Sequence, residues 1–113
     1  MNVVYFSEDP EATGVIPQIL RDLLNHQVEE RSIEEILISI EGSVSFTPNL
    51  YFLDTTTMLT GRHLLMVRTL VPSGIPVVVL TIRTDSQEFV RAGAAKAMTK
   101  PIDINQLQAL ITL

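Results

Sequence analysis

Asp54 closes an apolar run, Leu50-Tyr51-Phe52-Leu53, and polar Thr55-Thr56-Thr57 follow it. Four apolar residues are too few for a helix and read as a strand buried on both faces. The pattern therefore sets a carboxylate at the carboxyl end of a central strand, the edge at which open parallel sheets place ligands and chemistry. A strand-end Asp that caps the next loop is the plainer alternative. Other strand ends bring groups of complementary type: Ser7 and Glu8 after the first strand, Thr81 after the fourth and Lys100 after the fifth. Gathered on one rim, they would bring an acid, a hydroxyl and an ammonium within reach of a common oxyanion.

Several other chemistries are excluded. The chain has no cysteine, so disulfides, thiolate metal sites and a cysteine nucleophile are ruled out. His26 and His63 have no ligand partners nearby in sequence and read as surface or structural residues. Ser7 lacks a His and Asp set at plausible strand ends, and no Gly-x-Ser-x-Gly elbow occurs. No Gly-rich phosphate loop is present.

The elements that must position the rim can be read in order. Val3 to Phe6 is a first buried strand, ending in the acidic turn Ser7-Glu8-Asp9-Pro10. Asp9 reads as a helix cap. Gly14 and Pro17 require the first helix either to start late, near Thr13 or Gly14, or to kink. Ile16, Ile19, Leu20, Leu23 and Leu24 give it one apolar face. Gln27 to Glu29 reads as a short second strand. Ser32 with Glu35 forms a capping box for a second helix bearing Ile33, Ile36, Leu37 and Ile40 and closed by Gly42, with Ile38 left on an outer face. A third helix starts near Thr60 and stops at Pro72 and Gly74. Ile75 to Thr81 is the most β-prone run in the chain. A short fourth helix runs from Asp85 to Gly93, a thin fifth strand from Ala94 to Thr99, and a fifth helix is capped by Asp103 with Gln106. Alternating strands and helices joined by right-handed crossovers predict an α/β fold with a doubly wound, five-stranded parallel sheet, flavodoxin-like in its order 2-1-3-4-5.

The totals agree with one domain spanning 1–113. Hydrophobic residues make up 46% and charged residues 19%, so part of the surface should be apolar and meet a partner. Net charge is −5, with ten acids against two bases in residues 1–57 and three against six in residues 58–113. Such a chain is not built for the phosphate backbone of nucleic acid. No apolar run is long enough to span a membrane, and the N-terminus does not read as a signal peptide, so a cytoplasmic protein is expected. The final helix runs to Leu113 without a stop signal, so a piece of a longer chain is expected, with a stand-alone domain as the alternative.

Val77-Val78-Val79-Leu80-Thr81, Arg91-Ala92-Gly93-Ala94 and Thr99-Lys100-Pro101-Ile102-Asp103, together with Leu50 to Asp54, resemble a bacterial response-regulator receiver domain. The resemblance covers nearly the whole chain in the right order. It implies a signal-transduction module rather than an enzyme, at most self-phosphorylating and dephosphorylating, with Asp54 as phosphoacceptor. Thr81 and Lys100 would contact the phosphoryl group. Mg²⁺ would be held by Glu8, Asp54, the Thr56 carbonyl and, if the turn shifts by a residue, Asp9. The Lys100-Pro101 bond would be cis. The implied partner is a histidine kinase or phosphotransfer protein, with a homodimer or an effector domain meeting the fourth and fifth helices.

The chain also departs from the family pattern. Ser7 stands where a second acid is usual. The loop after Asp54 lacks the usual proline. Ile82 replaces a small residue, and Ala97 replaces the aromatic that swings inward when the Thr81 position moves. A pseudo-receiver, an interaction module whose chemistry has lapsed, is the alternative. A third reading is a small-molecule binder using Lys100 and Arg83 to hold an anion.

Overall fold

The computed structural model describes residues 1–8, 15–37, 47–56, 60–82 and 86–111. Five strands, β1 (Asn2–Ser7), β2 (Gln27–Ser32), β3 (Leu50–Asp54), β4 (Val77–Thr81) and β5 (Lys96–Thr99), form one sheet in the order β2-β1-β3-β4-β5. Every pairing is parallel. This is the sheet order expected from the sequence.

The three apolar runs become the three inner strands because only a strand covered on both faces can hide every side chain of such a run. Val3 to Phe6, Leu50 to Leu53 and Val77 to Leu80 are all buried. Alternate residues feed two cores. Val3, Tyr5, Leu50, Phe52, Val78 and Leu80 pack with Leu20 of α1 (Val15–Asp22) and with Leu107 and Ile111 of α4 (Ile104–Ile111). Val4, Phe6, Tyr51, Leu53, Val77 and Val79 face α2 (Thr60–Leu70), α3 (Gln87–Arg91) and the turn 33–37.

The helices follow their local signals closely. Within the described residues α1 opens at Val15, which puts Pro17 in its first turn, where no backbone N–H needs a partner, in line with the late-start alternative. His63, Met66, Val67 and Leu70 fall on one stripe of α2 and are buried. The cap of α4 forms reciprocally: the Gln106 N–H donates to Asp103 Oδ1 at 2.8 Å, and the Asp103 N–H to Gln106 Oε1 at 2.9 Å. Gly93 ends the turn after α3 at φ +118, with Val71 packed where a Cβ would stand.

The second helix differs from expectation. Within the described residues it is a five-residue 3₁₀ helix, Ile33–Leu37, which buries Ile33 and Ile36. Strand β2 runs three residues further than read, pairing Glu30, Arg31 and Ser32 with Tyr5, Phe6 and Ser7. Ser32 is therefore still in the strand, and its hydroxyl accepts the Glu34 N–H at 3.3 Å instead of completing a box with Glu35. Glu35 pairs with Arg31 at 3.5 Å. Ile38, Ile40 and Gly42 lie outside the described residues, as do Asp9, Gly14, Arg83 and Asp85.

Candidate functional site

Parallel pairing brings the carboxyl ends of β1, β3, β4 and β5 to one edge. Ser7 is the register partner of Asp54, Asp54 of Leu80, and Thr81 of Thr99. Glu8 and Lys100 are the next residues beyond β1 and β5. The expected rim therefore exists.

Lys100 is aimed across it. Its backbone N–H donates to the Thr81 carbonyl at 2.7 Å, which fixes the chain where it leaves β5. From there its Nζ reaches over β4 to Asp54 Oδ1 at 2.5 Å. The two side chains are 20% and 16% exposed, so the pair is largely desolvated yet open to a reactant from the rim. The Lys100-Pro101 peptide is cis.

Thr81 is fully buried at the tip of β4. Thr55 is also fully buried, and both its N–H and its hydroxyl donate to the Leu80 carbonyl, at 2.8 and 3.1 Å. This double tether holds the residue after Asp54 against β4, so the carboxylate stands on an anchored backbone.

The second oxygen of Asp54 has a partner that the sequence reading missed. The Tyr5 hydroxyl donates to Asp54 Oδ2. Tyr5 is the register partner of Phe52, and their rings stack with centroids 5.5 Å apart. Asp54 lies two residues beyond Phe52 on the same face, the diagonal position that a long aromatic spans. Burial, then the negative charge of Asp54, then the hydrogen bond to it all push the phenol well above its ordinary pKa of 10.0. The signal was present as a tyrosine in an otherwise aliphatic and Phe-containing strand. Nothing in sequence spacing, however, shows which oxygen 49 positions away it meets.

That shift has a consequence for stability. An unfolded chain ionises Tyr5 near pH 10 while the folded chain keeps it neutral, so above that pH the unfolded state binds fewer protons. Stability contributed by Tyr5 is whole below pH 10 and falls by about 1.4 kcal/mol per pH unit above it. Urea unfolding at pH 9 and pH 11 should show this loss, and a Tyr5→Phe variant should lose less over the same interval.

Glu8 is held independently. The Thr56 hydroxyl donates to its Oε2 at 2.6 Å, and His63 Nε2 lies 3.1 Å from its Oε1. A carboxylate can only accept, so Nε2 carries the proton. The His63 side chain is 3% exposed, which removes the surface alternative and leaves the structural one. Glu8 is 55 positions away in sequence, which is why His63 had no visible partner.

Among the described residues, no three His, Cys, Asp or Glu side chains cluster closely enough to form a metal centre by themselves. The donors that do stand at this edge, Asp54, Glu8 and the carbonyl-bearing loop at Thr56, are all oxygen and fit a hard cation in kind. Ser7, a hydroxyl and not a carboxylate, faces Asp54 across the register.

No family model and no curated protein matches the sequence. Solved structures do match. A two-component response regulator from Clostridium difficile superposes with TM-score 0.74 and 17% identity over 96% of this chain and 89% of that one. The signal receiver domain of a signal-transduction histidine kinase from Syntrophus aciditrophicus gives 0.68 and 21% over 97% and 89%. NtrX from Brucella abortus gives 0.72 and 18% over 96% of this chain, which spans 25% of NtrX. With the sheet order and the strand-end rim, these likenesses establish that the chain has the fold of response-regulator receiver domains.

Proposed function

We propose that the chain is a receiver module of a two-component phosphorelay, taking a phosphoryl group on Asp54 from a histidine kinase or phosphotransfer protein. The observation that carries this reading is the Lys100–Asp54 contact, a cation set against a strand-end carboxylate on a partly open rim. A phosphoryl group arriving at Asp54 brings negative charge to a place where an ammonium already stands. Thr81, at the neighbouring strand tip, has the right residue type to donate to a phosphoryl oxygen. Asp54, Glu8 and the Thr56 carbonyl would hold Mg²⁺, with Asp9, the next residue in sequence, as a further candidate, and the ion would offset charge on the phosphoryl oxygens. The output would pass to a second copy or an effector through α3, α4 and their flanks, where Val90, Ile104 and Ile82 are exposed apolar side chains. Among the described residues no helix is long and apolar enough to cross a membrane.

A second reading, the phosphorylation-independent pseudo-receiver, is favoured by one observation. Tyr5, Lys100, Thr56 and His63 already occupy every carboxylate oxygen of Asp54 and Glu8.

Titration with beryllofluoride and magnesium, followed by amide chemical shifts, separates the two. The phosphorelay reading expects shifts centred on Asp54, Thr81 and Lys100. A spectrum unchanged at millimolar magnesium sinks it in favour of the pseudo-receiver.

A further inference from the structure

Tyr5 is the group at this edge that the receiver reading leaves without a task. It is 1% exposed, its ring is stacked on Phe52, and its hydroxyl donates to the Asp54 oxygen opposite the one held by Lys100. Both carboxylate oxygens are thus engaged by donors fixed in the fold. One donor is a cation at the surface and the other a neutral phenol rooted in the core.

We propose that the Tyr5 hydroxyl shortens the life of the phosphorylated state by stabilising the Asp54 carboxylate over its acyl phosphate. The inference rests on Asp54 being the phosphoacceptor.

The same hydrogen bond differs in strength between two states of Asp54. As a free carboxylate, Asp54 offers Tyr5 a charged acceptor. As an acyl phosphate, whichever oxygen is bonded to phosphorus, the oxygen facing Tyr5 belongs to an ester-like group and carries far less charge. Hydrogen bonds to charged acceptors are about twice as strong as those to neutral ones. In hydrolysis a water oxygen bonds to phosphorus, the bond from phosphorus to the Asp54 oxygen breaks, and its electron pair returns to the carboxylate. Both water protons leave with the inorganic phosphate, one passing on to solvent at neutral pH. Negative charge therefore grows on the carboxylate as the bond breaks, and the phenol is already placed to receive it. A donor that needs no reorganisation acts on that developing charge in the transition state.

Tyr5 is suited to this because its position is secure: β1 is paired on both sides, Tyr5 sits mid-strand and its ring is stacked on Phe52.

The test is the decay of phosphorylated protein after loading with acetyl phosphate and magnesium and removal of the donor. Parent, Tyr5→Phe and Val3→Ala are compared by intact mass. Tyr5→Phe keeps the ring and its stacking and deletes the oxygen alone. Its phosphorylated half-life is expected to lengthen about fivefold to tenfold, the ratio set by roughly one to one and a half kcal/mol of lost charge-assisted bonding. Val3→Ala loosens the same core near the end of β1 away from the rim and should decay as the parent does. Equal half-lives in parent and Tyr5→Phe overturn the proposal while leaving the receiver reading intact. A Val3→Ala lifetime as long as that of Tyr5→Phe assigns the effect to packing and also overturns it. If neither parent nor variant takes up phosphate, the receiver reading fails and this inference fails with it.

Discussion

Lys100→Ala is expected to weaken beryllofluoride binding about 10- to 100-fold while leaving the fold in place. The lysine contributes one charge-assisted contact to Asp54 at 2.5 Å and would contribute another to an arriving anion. Contacts of that kind are worth about 1.5–3 kcal/mol when largely desolvated, and each 1.4 kcal/mol is tenfold in affinity. The fold should survive because the anchor that holds this segment is the Lys100 backbone N–H on the Thr81 carbonyl, which alanine keeps. Lys100→Arg should restore only part of the loss. A planar fork is a different shape from a compact ammonium and would reach the carboxylate in a different geometry. Isothermal titration with the fluoride complex and magnesium measures all three proteins. Binding by Lys100→Ala within threefold of the parent would show that the ammonium is not aimed at the anion.

Phe52→Ala is expected to cost about 3–5 kcal/mol of folding stability. Phe52 is fully buried in the central strand β3, it carries the ring on which Tyr5 stacks, and α1 and α4 close over the same core. Removing it leaves a cavity bounded by the sheet and two helices, which cannot collapse without moving the strands that define the rim. Because a domain of this size is stable by only about 5–15 kcal/mol, the loss would be visible as a large fall in the urea midpoint. A change under 1 kcal/mol would mean that the site's aromatic support is not part of the load on the core.

The fold was legible because its signals are local and agree. Three apolar runs of strand length, a proline that tolerates only a first turn, and the Asp103–Gln106 cap each specify an element from within a few residues. The parallel order follows from the alternation of elements and the handedness of crossovers. That Lys100 and Asp54 would stand on one edge was also foreseeable, since strand ends in such a sheet share it; their direct contact was not. What stayed hidden depends on register. Which tyrosine reaches which carboxylate is decided by Tyr5 standing opposite Phe52, and which acid meets His63 by the docking angle of α2. Neither leaves a trace in local spacing. The second helix was misjudged for a related reason: pairing with β1 draws Glu30, Arg31 and Ser32 into the sheet although their local propensity argues otherwise.

The rim therefore joins two sets of groups. Asp54, Lys100, Thr81 and Glu8 stand at or just beyond the strand ends. Tyr5 and Thr55 from the core, His63 from α2 and the exposed Thr56 hydroxyl hold the two carboxylates or the backbone beside them.

Intact-protein mass spectrometry after incubation with acetyl phosphate and magnesium, run beside an Asp54→Asn variant, tests phosphoryl acceptance at Asp54. The parent is expected to gain the mass of one phosphoryl group, labile to hydroxylamine, and Asp54→Asn to gain none. Equal gain by both proteins would place the acceptor elsewhere. No gain by the parent while its fold is intact would contradict phosphoryl acceptance at Asp54 altogether.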